Sequence, residues 1–188
     1  VGDFRHLADD PVYAGYIWTV VQATFESPDG EQFQRDIVRS PGAVATIPVH
    51  RVDDRVEVIL VRQYRAAYGQ SILEIPAGMR DVPGEPTEVT ANRELIEEAG
   101  WRANTLTPLI EFYPSAGMTD SVLHLFLATD LVDEPRQAHG VEESHMDVLS
   151  VPLDEAVAMV LDGRIRDAKT VIGLLLVERM HLAGTLHC

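Results

Sequence analysis

The sequence has 188 residues, 46% hydrophobic and 24% charged, enough for one domain with a sizeable core and a small appendage. Its 30 acids against 15 basic residues give a net charge of −15, which argues against nucleic acid as the main ligand. One cysteine, Cys188, excludes a disulfide framework and a cysteine-based zinc site, and no apolar run is long enough to span a membrane.

The first 40 residues read as a β-hairpin. Tyr13–Phe25 is rich in β-branched and aromatic residues, Asp29-Gly30 supplies a turn, and Gln32–Arg39 alternates polar and apolar residues. Ala43–His50 and Val56–Arg65 read as two further strands around the polar turn Arg51–Arg55. Ser71–Gly78 (SILEIPAG) is a short strand ending in a glycine turn. Pro86–Ala99 reads as a helix, with Pro86 at its first position, Glu88 in its first turn and Gly100 just beyond its end. Val89, Ala91, Leu95, Ile96 and Ala99 form its apolar stripe.

Two strands follow, Leu106–Tyr113 and Ser121–Leu131, split by the loop PSAGMTD. A polar loop runs through VDEPRQAHGVEESH, Met146–Leu153 is another strand, and two helices close the chain. This order predicts an α+β fold, an α/β/α sandwich on a mixed sheet with an N-terminal antiparallel hairpin. No basic stretch leads into an apolar run at the beginning of the sequence, so no secretory signal is expected and the protein is read as cytoplasmic.

Helical spacing puts Glu94, Glu97 and Glu98 on one face. Their mutual repulsion costs a few tenths of a kcal/mol per pair if nothing offsets it, and Arg93 offsets only part. A hard cation with oxygen ligands answers the excess better, and would carry an acidic protein to an anionic, phosphate-bearing substrate. The alternative reading is a solvated acidic helix face. It leaves the glycines on either side, Gly78 and Gly100, unexplained.

Gly78, Glu85, Arg93, Glu94, Leu95, Glu97, Glu98, Gly100 and Trp101 together resemble the Nudix box. The one departure is the loop between Gly78 and Glu85, six residues (MRDVPG) where the family pattern has five. It is read as a subfamily mark that reshapes the loop and leaves the helix face alone. The resemblance implies that Glu94 and Glu98 hold Mg²⁺ or Mn²⁺, with Glu97 a ligand or close to one and the Ala77 carbonyl a further ligand. It also implies an orienting salt bridge between Glu85 and Arg93.

The segments around the box resemble the ADP-ribose and nucleotide-sugar pyrophosphatase branch of that family. They include VILVRQYRAAYGQSILEIPAG before it, EFYPSAGMTDSVLHLFLATDL with Pro114 after it, and the closing DAKTVIGLLL. This implies Mg²⁺-dependent hydrolysis of ADP-ribose to AMP and ribose 5-phosphate. Another nucleoside diphosphate sugar, or a protein that senses ADP-ribose without cleaving it, are the alternatives. Arg65 and Arg62 are candidates for the substrate phosphates, Glu74 for adenine or ribose, and Ser115 and Asp120 for the terminal ribose. Glu142 is the first candidate for the catalytic base and Glu143 the second; the flanking His139 and His145 are left out. Residues 1–40 are expected to pair two copies into a homodimer, and 41–188 to form the Nudix hydrolase domain. No nucleic-acid or membrane partner is expected.

Overall fold

A computed structural model describes residues 3–188. The described residues divide into two compact units, one of residues 3–42 with 112–123 and one of residues 43–111 with 124–188.

The smaller unit carries a three-stranded antiparallel sheet of β1 (Arg5–Ala14), β2 (Thr19–Glu26) and β3 (Gln32–Arg39). The expected hairpin is β2–β3. The run Tyr13–Phe25, expected as one strand, breaks at a turn where the Gly15 amide donates to the Trp18 carbonyl at 2.8 Å. The chain before that turn adds the third strand. Its residues Asp9, Asp10 and Pro11 obscure it in the sequence, yet they suit an edge, where proline need not donate to a neighbour.

The larger unit is built on a seven-stranded sheet. Its main path runs β10 (Asp147–Pro152), β5 (Arg55–Arg65), β4 (Ala43–Val52), β9 (Leu123–Asp133) and β8 (Trp101–Phe112). The stretch expected as one strand before the box is two, β6 (Gln70–Glu74) on β5 and β7 (Ala77–Met79) on β4. Helix α1 (Thr87–Ala99) lies on one face, where Leu95 and Ala99 pack with Ile59 and Val61, and Ala91 packs with Val44 and Phe126. Helices α3 (Leu153–Leu161) and α4 (Ala168–Leu182) pack on each other, with Gly173 of α4 against Ile47 and Leu125. Val44 and Ile47 have opposite parity along β4, so the two helical layers take opposite faces of the sheet. This is the α/β/α sandwich that the element order predicts.

Helix α1 begins one residue later than expected. Pro86 is extended (φ −61°, ψ 145°) and acts as the cap residue rather than the first helical one. The polar loop contains a four-residue helix, α2 (Val141–Ser144). Among the described residues no helix is long and apolar enough to cross a membrane.

Candidate active site

Gly78, in β7, lies so close to the Glu94 carboxylate that any side chain there would displace it. A Cβ placed there would stand 1.9 Å from Glu94 Cδ. At the other end of α1, Gly100 adopts φ 72°, and its amide donates to the Ile96 carbonyl at 3.0 Å. The two glycines therefore do different work. One makes room for an acid, and the other turns the chain out of the helix into β8.

Glu94 and Glu98 are buried in this fold, 9% and 4% exposed, although they are carboxylates on a surface-layer helix. Burial pushes Glu94 up to about 7, and the neighbouring Glu97 adds to this against the pull of Arg93. Burial likewise pushes Glu98 up to about 8, opposed by a 2.9 Å hydrogen bond that its Oε2 accepts from the Ala77 amide. Two buried oxygen donors held this far from their ordinary range lack a full complement of positive charge.

Arg93 is the hub of the same face. Its guanidinium lies 2.9 Å from Glu94, 3.1 Å from Glu97, 3.3 Å from Glu85 and 3.4 Å from Asp81. The expected Glu85–Arg93 pair is thus present. Asp81 belongs to the longer loop MRDVPG, so that loop brings one more acid to Arg93. Among the described residues no three acidic, histidine or cysteine side chains already form a metal-holding set. Arg93 lies among the acids, and Glu98 spends one oxygen on Ala77.

Behind the acids stands a second charged group. Arg65 pairs with Glu74 through Nε and Nη2 at 2.6 and 2.8 Å. Lys169 of α4 also donates to Glu74, and lies 3.0 Å from Asp167. Glu74 is 1% exposed, with both oxygens engaged. Its burial works against ionisation, but Arg65 and Lys169 outweigh it and hold the carboxyl below its ordinary range. The expectation that Glu74 accepts from a ligand's base or sugar therefore meets a carboxylate already committed to two cations. Lys169 escaped the sequence reading, although it is the chain's only lysine and stands just before the apolar run of α4.

Alternation along β5 places Arg62 on the face opposite Arg65. Arg62 lines a separate cleft of about 370 Å³ with Arg164, Arg166 and Gln70. In the smaller unit, Asp120 accepts from the Ser40 amide at 3.0 Å and from Arg39 at 3.1 Å, and the Ser115 carbonyl closes the turn by accepting from Met118. Ser115 thus closes its own loop, and Asp120 ties that loop to the end of β3.

The loop after β9 comes to the box helix. His139 Nε2 lies 3.6 Å from Glu97 Oε1. Glu143 folds back on the loop and accepts from the His139 and Gly140 amides at 2.7 and 3.3 Å. Arg136 donates to the carbonyls of Glu143 and Met146. Glu142 is left exposed on α2. The two candidate bases are thus unequal, one used to shape the loop and one free of it. His139, set aside in the sequence reading, is the loop residue that reaches the box.

A box helix that presents buried acids beneath the glycine of β7 offers oxygen donors of the kind a divalent cation takes. Comparison with known proteins makes the family explicit. A model of the NUDIX domain matches residues 40–173. An ADP-ribose pyrophosphatase of Bacillus subtilis is 36% identical, with 90% of each chain covered. A methanol dehydrogenase activator of Bacillus methanolicus is also 36% identical, again over 90% of each. A crystal structure titled as an ADP compounds hydrolase superposes with a TM-score of 0.81 at 27% identity, covering 99% of this chain and 98% of the other. The chain belongs to the Nudix family and is a hydrolase of it; such hydrolases generally use a divalent metal.

Proposed function

We propose that this protein hydrolyses ADP-ribose to AMP and ribose 5-phosphate with Mg²⁺ or Mn²⁺ at the α1 face. The observation that carries the reading is the burial of Glu94 and Glu98 beneath Gly78. The names of similar proteins, an ADP-ribose pyrophosphatase and an ADP compounds hydrolase, point to the substrate class.

The donor set fits a hard cation, since all its members are oxygens. Glu94 and Glu98 would hold it, with Glu97 beside them. The register of β7 supports Ala77 as a further donor. Ala45 and Ala77 face each other across β4 and β7, and the bond beside them runs from the Thr46 amide to the Pro76 carbonyl. The polar groups of Ala77 itself therefore point away from β4, and its amide already meets Glu98. In this reading Arg93 keeps Glu85 and Asp81 and releases Glu94 to the metal. A bound divalent ion supplies charge neutralisation at the diphosphate and a more acidic water.

Arg65, held in place by Glu74, presents its guanidinium to a substrate phosphate. Glu142 takes the proton of the attacking water, and its freedom from the loop's own hydrogen bonds suits it to that task. Water adds across one P–O bond of the diphosphate, leaving one phosphate on each product. The sheet of the smaller unit supports a homodimer, because β1 is exposed along its whole length and carries Leu7, Val12 and Tyr13 outward. Light scattering at micromolar concentration should give twice the monomer mass.

The test is a panel of ADP-ribose, GDP- and UDP-linked sugars incubated with Mg²⁺, with phosphate read after phosphatase coupling. ADP-ribose should turn over fastest. Faster turnover of another nucleotide sugar would move the substrate assignment, and inertness toward every diphosphate would remove the enzymatic reading.

A further inference from the structure

The four residues that precede Gly78 are fixed one by one. Glu74 is held by Lys169 and Arg65. The Ile75 amide donates to Thr170 Oγ1 at 2.9 Å. The Pro76 carbonyl accepts from the Thr46 amide at 3.0 Å. The Ala77 amide donates to Glu98 at 2.9 Å. Two of these four holds come from consecutive residues in the first turn of α4, more than 90 positions away in sequence.

That first turn is itself set by Asp167. Its Oδ2 accepts from the Thr170 amide at 3.0 Å and from the Thr170 hydroxyl at 2.6 Å, and lies 3.0 Å from Lys169 Nζ. The hydroxyl proton is thereby directed to Asp167, and a lone pair of Oγ1 is left for the Ile75 amide. Thr170 is fully buried and Ile75 is 1% exposed, so water offers no ready substitute. The same turn grips the first two residues of the segment, the side chain that orients Arg65 and the backbone two residues before Ala77.

We propose that Thr170 and Lys169 are positioning residues for the reaction, Thr170 setting the Ala77 carbonyl for the metal and Lys169 setting Arg65, through Glu74, for the substrate phosphate. This rests on the hydrolase reading above. Neither residue touches the reacting atoms. Thr170 governs metal binding, and Lys169 governs substrate binding.

The decisive variants are Thr170→Val, which keeps the shape and removes the acceptor, and Thr170→Ser, which keeps the acceptor. Free Mn²⁺ measured by electron paramagnetic resonance gives metal affinity without any substrate. Thr170→Val should weaken Mn²⁺ binding about tenfold, as loss of a supporting partner of a metal ligand does, and lower kcat more than it raises KM. Thr170→Ser should restore both. Lys169→Met should instead raise KM and leave Mn²⁺ affinity within about twofold of wild type, since a lost supporting partner otherwise costs far more.

Wild-type Mn²⁺ affinity and kcat in Thr170→Val, whatever its melting temperature, would overturn the assignment. So would a Lys169→Met variant with unaltered KM. If Thr170→Val does not fold, Asp167→Asn is read in the same assay. A several-fold loss of Mn²⁺ affinity supports the proposal, and none overturns it. A wild-type protein inert toward ADP-ribose but with Thr170-dependent Mn²⁺ binding would remove the substrate reading and keep the positioning role. An active enzyme whose Mn²⁺ binding ignores Thr170 would do the reverse.

Discussion

Glu94 and Glu98 on α1 are buried beside strand β7, with Gly78 over Glu94, while Glu142 on α2 stands in solvent and Glu143 turns back to cap its own loop. Both stretches read as acid-rich in the sequence, and in the first, burial raises the carboxylates to about 7 and about 8. The difference teaches how to rank acids. A carboxylate buried short of positive charge is built for a cation, whereas an exposed one on a loop is built to approach a reacting group or to shape that loop.

That ranking fixes the order of expected effects. Glu98→Gln should cost roughly 1,000-fold in kcat, because it removes a donor from the proposed metal face. Steady-state hydrolysis of ADP-ribose at saturating Mg²⁺ measures it, and a near-normal rate would place the metal elsewhere. Glu142→Gln should cost about 100-fold in kcat, the lower range for loss of a general base. An unaltered kcat would pass the role of base to another group.

Glu143→Gln acts on the loop. It weakens the charge-assisted acceptor for the His139 and Gly140 amides. Rates should fall about tenfold or less, a modest loss of positioning, with faster amide exchange confined to residues 137–146. If Glu143→Gln cost more than Glu142→Gln, the ranking of the two loop acids would be reversed.

The smallest effect is on stability. Glu94 and Glu98 titrate at about 7 and about 8 in the fold, against an ordinary 4.5. Between those values the folded state binds more protons than the unfolded one, so stability falls as pH rises. Metal-free protein should therefore melt at progressively lower temperature as pH climbs from 5 toward 8, and Mg²⁺ should flatten the slope. In Glu98→Gln the metal-free slope should shrink. A Tm of metal-free protein that rises over the same window would contradict the burial argument.

The box was legible because its chemistry is local. Glu94, Glu97 and Glu98 share a helix face by spacing alone, and Gly78 and Gly100 bracket that helix in the sequence. Strands β4 and β5 and, apart from the exposed Val89, the apolar stripe of α1 were legible for the same reason. What escaped depends on distant partners. Lys169 and Thr170 gain their meaning from Glu74 and Ile75 across the sheet, and Asp81 from Arg93. No spacing rule reports such pairs. Strand β1 escaped because its charged and proline residues suit a sheet edge, which reads as loop. Glu74 was expected to meet a ligand because an acid before the box suggests function; only its burial between Arg65 and Lys169 shows what engages it.

The central claim is that the buried acids of α1 form the metal site. Mn²⁺ titration of wild type, Glu98→Gln and Glu142→Gln, followed by electron paramagnetic resonance in the absence of substrate, tests it directly. Wild type and Glu142→Gln should bind Mn²⁺ alike, and Glu98→Gln should bind at least about tenfold more weakly. Equal Mn²⁺ affinity in wild type and Glu98→Gln would contradict the account.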